Sequence, residues 1–279
     1  MSYIISNMTI EDMDFAINWA AAEGWNPGLN DRDVFFNTDP KGYFVGKRNG
    51  EIAGVISAVA YDDNYGFIGF YIVREQDRNT DLGVRLAMKT MNYLGNRNMG
   101  LDGVLERVDN YARIGFNYAY KNIRWEGTFA GVGSDNPNIT RIGSIDIGDL
   151  LALDRECFPA HRESFVRSWV SMPNAWSFAY LVNRELLGYG VIRKCRNGFK
   201  IGPLFADNGE VAYELFKRLV SYSGGEPVFF DTPEVNQSAV DIATKCNMQQ
   251  SFATARMYSK EAPAININKV FGVTTFELG

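Results

Sequence analysis

Hydrophobic and polar positions along the chain switch between the helical and the strand period. Thr9-Ile10-Glu11-Asp12 has the spacing of a capping box, with Asp in the fourth place. Ile10, Met13, Phe15, Ile17, Ala20 and Ala21 then give a helical stripe that ends near Gly24. Asp31 is placed to cap a second, shorter helix carrying Val34, Phe35 and Phe36. Strand-like runs follow at 43–45, 52–61 and 65–73, with Asn49-Gly50 as a hairpin turn between the first two. The third run is almost wholly apolar and reads as a central strand covered on both faces. A polar stretch at 74–81 precedes an amphipathic helix with Leu82, Leu86, Met91 and Leu94 on one side. A short strand at 103–105, a short helix at 109–115 and a strand at 116–125 complete the first half.

Residues 131–138 form the clearest linker. Beyond it the order of elements repeats: a helix around Leu150, Leu151 and Leu153, another from Glu163, and strands at 176–182, 186–192 and 199–205. A helix at 210–222, a strand at 227–230 and a helix at 238–246 follow. Arg48-Asn49-Gly50 and Arg196-Asn197-Gly198 both fall at hairpin turns, and Ile52-Ala53-Gly54-Val55 aligns with Leu187-Gly188-Tyr189-Gly190. The pattern predicts two copies of one mixed α/β unit, the second diverged: 1–132, a linker at 133–140, and 141–279.

The 279 residues carry 28 Lys+Arg against 33 Asp+Glu, a net charge of -5, which argues against a nucleic-acid or anionic-membrane surface. No apolar run reaches the ~18–20 residues of a membrane span. Met1 to Ser6 lacks the basic and apolar regions of a signal peptide, so a cytoplasmic protein is expected. Cys157, Cys195 and Cys246 form no CxxC pair, and His161 is the single histidine. A zinc or His-rich metal centre is therefore not expected.

The segment richest in chemistry is strand 65–73, loop 74–81 and the helix from 82. The free N–H groups and dipole of a helix N-terminus favour a phosphate, and Arg74, Arg78 and Arg85 lie on or beside the turn. The alternative is a solvated loop with ordinary surface arginines.

Arg78-Asn79-Thr80-Asp81-Leu82-Gly83 resembles the acyl-CoA pyrophosphate loop of the GNAT (general N-acetyltransferase) superfamily, Gln/Arg-x-x-Gly-x-Gly/Ala, with Asp81 in place of the middle glycine. Tyr111-Ala112-Arg113-Ile114-Gly115-Phe116 resembles its Tyr-x-x-x-Gly-Phe, while Val104 stands where many relatives have Asn. Wording over nearly the whole chain is similar to the two-domain YitH-type branch. It includes Glu23-Gly24-Trp25-Asn26-Pro27-Gly28-Leu29, Asp109-Asn110-Tyr111, Gly188-Tyr189-Gly190-Val191-Ile192-Arg193, Lys200-Ile201-Gly202-Pro203 and the tail from Phe271 to Gly279.

This resemblance implies an α+β (mixed α/β) fold of two tandem GNAT-like units. Each would be a twisted mixed sheet flanked by helices and splayed between its fourth and fifth strands. It implies acetyl-CoA as co-substrate, held by Tyr71, Ile72 and Val73 and by residues 78–83 (Arg78, Asn79, Thr80, Asp81, Leu82, Gly83). It implies acyl transfer to a small-molecule amine, with Tyr111 as general acid and the N–H of Val73 as oxyanion donor. Glu23 is the first candidate for the base, then Glu106 or Asp109; Trp25, Asn26 and Asp231 are candidates for the acceptor side. The second unit has no arginine in its loop 206–210 and Ala243 at the tyrosine position, so it is expected to be non-catalytic. A catalytically inactive protein that binds acyl-CoA or a metabolite is the rival reading, and a homodimer is compatible with either.

Overall fold

The computed structural model describes residues 3–279; Met1 and Ser2, where the signal-peptide reading begins, lie outside them. The first half forms β1 (Ile4–Asn7), α1 (Asp12–Ala22), α2 (Asp31–Thr38), β2 (Tyr43–Arg48), β3 (Glu51–Ala60) and β4 (Tyr65–Val73). It continues with α3 (Leu82–Leu94), β5 (Asn98–Val104), α4 (Val108–Arg113) and β6 (Asn117–Thr128). The capping box closes as expected: the Asp12 N–H donates to Thr9 Oγ1 and the Thr9 N–H to Asp12 Oδ2, both at 3.2 Å. Asn49 and Gly50 take φ of 53° and 84°, the left-handed pair that a tight hairpin between twisted strands requires.

The second half repeats the order as β7 (Ile139–Arg141), α5 (Ile147–Cys157), α6 (Glu163–Val170), β8 (Ala175–Val182), β9 (Glu185–Lys194) and β10 (Phe199–Ala206). Then come α7 (Gly209–Val220), β11 (Pro227–Pro233), α8 (Gln237–Lys245), β12 (Gln249–Tyr258) and β13 (Val270–Gly272).

The two mixed sheets join into one, in the order β1-β2-β3-β4-β5-β12-β6-β11-β10-β9-β8-β7. Their last strands are exchanged. β12, from the second half, pairs antiparallel with β5; β6, from the first, pairs antiparallel with β11; and β12 and β6 pair with each other. Each half thus covers the other's open edge, so no unpaired edge separates them. The sequence reading assigned no element to 249–258. That strand opens on exposed Gln249, Gln250 and Ser251 and carries a buried Arg256. The charge is accommodated because Asp102 on β5 accepts Arg256 Nε at 2.9 Å and Nη2 at 2.7 Å, a pairing that periodicity does not reveal.

One face of the sheet carries a core shared by both halves. Met13, Phe35 and Phe70 pack there with Trp169, Tyr189, Phe276 and Leu278. On the opposite face, α3 buries Leu82, Leu86 and Leu94 over the first half, and α7 buries Leu215, Phe216 and Leu219 over the second.

Candidate active site

β4 and β5 pair in parallel only from Tyr65–Asn98 to Ile68–Leu101. β5 then follows β12, and among the described residues the β4 edge at 69–73 has no strand partner on that side. The separation is reinforced by a bulge: Phe70 and Tyr71 together face Ile56, because the β3 register jumps between Val55 and Ser57. Phe70 takes φ 48°, a conformation that costs a non-glycine residue about 1–3 kcal/mol and tends to persist at functional sites. The result is a wedge between the fourth and fifth strands.

The loop leading to α3 is fixed from below. Buried Asp77 accepts Tyr3 Oη at 3.1 Å and Arg74 Nε at 2.7 Å, and pairs with Arg48 Nη1 at 2.8 Å. Thr80 Oγ1 donates to the Asp77 carbonyl at 2.7 Å. The left-handed residue of the turn is Asn79, with φ 63°, whereas Asp81 has φ -74°. A glycine is therefore not needed at 81. The Asp81 side chain makes no capping bond and lies exposed, 3.8 Å from Arg85. The N-cap residue Asp81 caps none of the first-turn amides of α3; the Leu82 N–H makes one long bond, to Thr80 Oγ1 at 3.4 Å, an arrangement that leaves room for an anion.

A Cβ at Gly83 would stand 2.7 Å from the Tyr71 hydroxyl, so a side chain there would displace that phenol. Arg74 and Arg85 are engaged elsewhere, Arg74 with Asp77 and Glu51, Arg85 with the Tyr3 carbonyl at 2.9 Å. Arg78 lies at the mouth of the wedge. Its Nε donates to the Val73 carbonyl at 2.9 Å and its Nη2 to Glu23 Oε1 at 2.8 Å, with both side chains about half exposed.

Tyr111 packs its ring on Gly103 of β5, where a Cβ would lie 2.3 Å from the ring. Burial, with a smaller contribution from nearby Tyr71, pushes its phenol up to about 12. The two phenols therefore stand at the two sides of the wedge, Tyr71 on β4 and Tyr111 over β5. Phe116 is core, as its apolar setting predicts. Glu106 and Asp109 are exposed on the surface beyond β5.

The acceptor-side candidates fare differently. The loop between α1 and α2 is clamped onto the β9–β10 hairpin: Asn26 donates to the Asn197 carbonyl at 2.8 Å and accepts its N–H at 2.9 Å. The Trp25 carbonyl accepts Arg124 Nη1 and Lys200 Nζ, each at 3.0 Å, and its ring is half-buried. Asp231 is fully engaged, since Arg124 Nε and Nη2 reach its two oxygens at 2.7 Å each. The sequence reading had Asp231 free to hold a cation; buried Arg124 takes that place.

The second unit's wedge is closed. β10 and β11 pair from Phe199–Val228 to Ile201–Phe230 and then part. The chain's own tail enters, with β13 pairing antiparallel to β10 and the Val273 N–H donating to the Asp231 carbonyl at 2.9 Å. A Cβ on Gly202 would meet the carbonyls of Val273 and Thr274 at 2.5 Å. The corresponding helix terminus is also spent, because Asn208 caps α7 by accepting the N–H groups of Glu210 and Val211 at 3.1 Å. Among the described residues, the first unit alone combines an open wedge, a helix whose N-cap side chain makes no capping bond and a tyrosine beside it.

A splayed mixed sheet of this order, used twice in one chain, defines a tandem GNAT fold. A family model described as the acetyltransferase (GNAT) family matches residues 8–116, and one described as an acetyltransferase (GNAT) domain matches 150–272. The chain belongs to the GNAT acyltransferase superfamily as a two-domain member. It is 28% identical to the holothin acyltransferase of a Pseudoalteromonas strain, over 97% of this chain and 92% of that protein. It is 24% identical to the uncharacterized N-acetyltransferase YitH of Bacillus subtilis, over 81% and 82%. In fold it is similar to a candidate acetyltransferase from Pyrococcus horikoshii, with a TM-score of 0.84 at 18% identity over 99% and 96% of the two chains. A tandem GNAT protein from the clavulanic acid biosynthesis pathway superposes with a TM-score of 0.65 at 12% identity, over 94% and 100%.

Among the described residues, no group of three or more His, Cys, Asp or Glu is placed to hold a metal ion, and no helix is long and apolar enough to cross a membrane. Sequence reasoning missed the bulge at Phe70, the left-handed turn at Asn79 and three buried charged residues, Arg193, Lys200 and Glu277. All three charges lie inside segments whose wording resembles the family, but nothing in a lone charge reveals its burial.

Proposed function

We propose that the protein transfers an acyl group, acetyl by default, from an acyl-CoA thioester to the amine of a small molecule. The observation that carries this reading is the coincidence of an open β4 edge, an α3 N-terminus that its Asp81 N-cap leaves uncapped and a protonated tyrosine in one wedge. The residues present fit the coenzyme. The edge at 69–73, including Tyr71, Ile72 and Val73, would pair with the pantetheine amides. The first-turn amides from Gly83 on, with Arg78, Asn79, Thr80, Asp81 and Leu82 around them, would receive the diphosphate, and Gly83 keeps the approach clear. The coenzyme supplies an activated thioester carbonyl.

Tyr111 keeps its proton throughout the neutral range, as a general acid for a leaving thiolate must. Glu23, read from the sequence as the base, is held by Arg78, so we assign it to the wedge mouth. Two relatives named as acyl- or acetyltransferases over most of their length support the reading. The alternative, a non-catalytic binder of acyl-CoA or a metabolite, draws on Asp81 and Val104. Tyr111→Phe decides between them. Turnover should drop roughly 10²-fold with coenzyme affinity unchanged within about twofold; equal turnover would remove Tyr111 from the mechanism.

A further inference from the structure

The bulge on β4 is braced by the last residues of the chain. Phe67 and Gly69 point to the face covered by 273–279, and Ile68 to α3. Past Gly69 the order changes: Phe70 and Ile72 pack in the shared core with Phe276 and Leu278, while Tyr71 and Val73 stand beside Gly83 on α3. The neighbours Gly69 and Phe70 thus lie on one face, the signature of a bulge. Gly69 permits this because it has no side chain; a Cβ there would overlap the carbonyl group of Glu277. A shift of one residue would restore strict alternation and free Phe70 from its φ of 48°, but it would turn Tyr71 and Val73 away from α3.

The bracing segment is fastened at both ends. At its start, β13 pairs with β10, and the Val273 N–H donates to the Asp231 carbonyl at 2.9 Å. Arg162 Nη2 donates to Thr274 Oγ1 at 3.0 Å, and Arg162 itself is bound to Asp154 on α5 through two hydrogen bonds of 2.8 Å. Thr275 then closes a tight turn. Its Oγ1 accepts the N–H groups of Glu277 at 3.2 Å and Leu278 at 2.9 Å, and its carbonyl accepts that of Gly279 at 3.1 Å. On the first unit, Tyr61 Oη donates to the Leu278 carbonyl at 2.8 Å. Residues 270–279 are all buried. One continuous segment therefore fills the second unit's wedge and ends against the strand that opens the first. A strained backbone persists only where its surroundings over-determine it, and a turn held by this many bonds does so for Phe70.

We infer that 273–279 is a positioning strap for the first unit's wedge. Anchored in the second unit, it seats the Glu277 carbonyl against Gly69, keeps the bulge at Phe70 and so holds the β4 edge at 69–73 apart from β5. The second unit, whose own wedge the strap closes, thereby acts on the first. Gly69 is a positioning residue and touches no substrate. That the edge so held receives acyl-CoA rests on the acyltransferase reading; the hold on the bulge does not.

The test combines hydrogen exchange read by mass spectrometry with calorimetric titration of acetyl-CoA, both on the full chain at a temperature where each variant is folded. Three variants are compared: Gly69→Ala, Leu278→Ala and Leu215→Ala. The last, in the core under α7, controls for lost stability alone. Gly69→Ala should speed exchange of the amides at 70–73 by about 10-fold or more and weaken acetyl-CoA by about 10-fold, whereas the control changes neither. Leu278→Ala, which thins the strap and leaves β4 unaltered in sequence, should act in the same direction, and it decides the matter if Gly69→Ala does not fold. Exchange at 70–73 that is unchanged in the strap variants, or raised equally in Leu215→Ala, overturns the inference whatever acetyl-CoA does. Faster exchange with undiminished affinity overturns the link from the bulge to the coenzyme edge. If exchange rises as expected but the wild type does not bind acetyl-CoA, the strap stands and the acyltransferase reading falls.

Discussion

Arg78 Nη2 and Glu23 Oε1 meet at 2.8 Å across the mouth of the wedge, joining the loop before α3 to the loop after α1. A phosphate arriving at α3 must compete with that carboxylate and with Asp81 for the same cationic surroundings. Glu23→Gln and Asp81→Asn should each tighten coenzyme A binding by about 3–10-fold at low salt, the size of a partly exposed charge interaction, and the gain should shrink at high salt. Calorimetry at two ionic strengths checks this. Glu23→Gln should also leave kcat within a few-fold of the wild type; a large loss of kcat would return Glu23 to the role of base.

A second expectation concerns the inter-unit core. The Arg124–Asp231 pair is nearly inaccessible to water, and Arg124 also holds the Trp25 carbonyl. Removing the carboxylate leaves a buried guanidinium without its counter-charge. Asp231→Ala should destabilise the fold by about 3–5 kcal/mol, read as a lower urea midpoint. A surface pair such as Arg167–Glu163 should cost less than about 1 kcal/mol when broken.

Alkaline pH offers a third check. Burial raises the phenol of Tyr111 to about 12 and pushes those of Tyr43, Tyr65, Tyr120 and Tyr189 well up. Below about pH 10 these phenols are protonated in both states, so their contribution is intact. Above it the unfolded chain releases protons that the folded one retains, and stability falls with rising pH. Lys200, pushed down, acts in the opposite sense below its ordinary range, but one amine is outnumbered by five phenols. The urea midpoint should therefore fall steadily above about pH 10, and tyrosinate absorbance should rise with unfolding. A flat midpoint would contradict the burial argument.

How much of this was legible beforehand follows from the kind of interaction involved. Local signals were readable, so the capping box at Thr9, the turn at Asn49-Gly50 and the helix from Leu82 appear where periodicity places them. The wedge was reached only through the resemblance around Arg78 and Tyr111. Long-range exchange was not legible, because a strand that buries Arg256 against Asp102 looks polar in isolation. The same reason hid the engagement of Asp231 by Arg124. Asp231 and Glu277 are equally acidic in the sequence, and only the fold shows that one is paired and the other is not.

The central claim is that one wedge per chain, in the first unit, receives the coenzyme. Isothermal titration of acetyl-CoA into the wild type and into Gly83→Val tests it directly. The account predicts one site per chain, abolished or weakened at least roughly 10²-fold by a side chain placed between Tyr71 and the first turn of α3, with the fold retained. Two sites per chain, or undiminished binding to Gly83→Val, would contradict it.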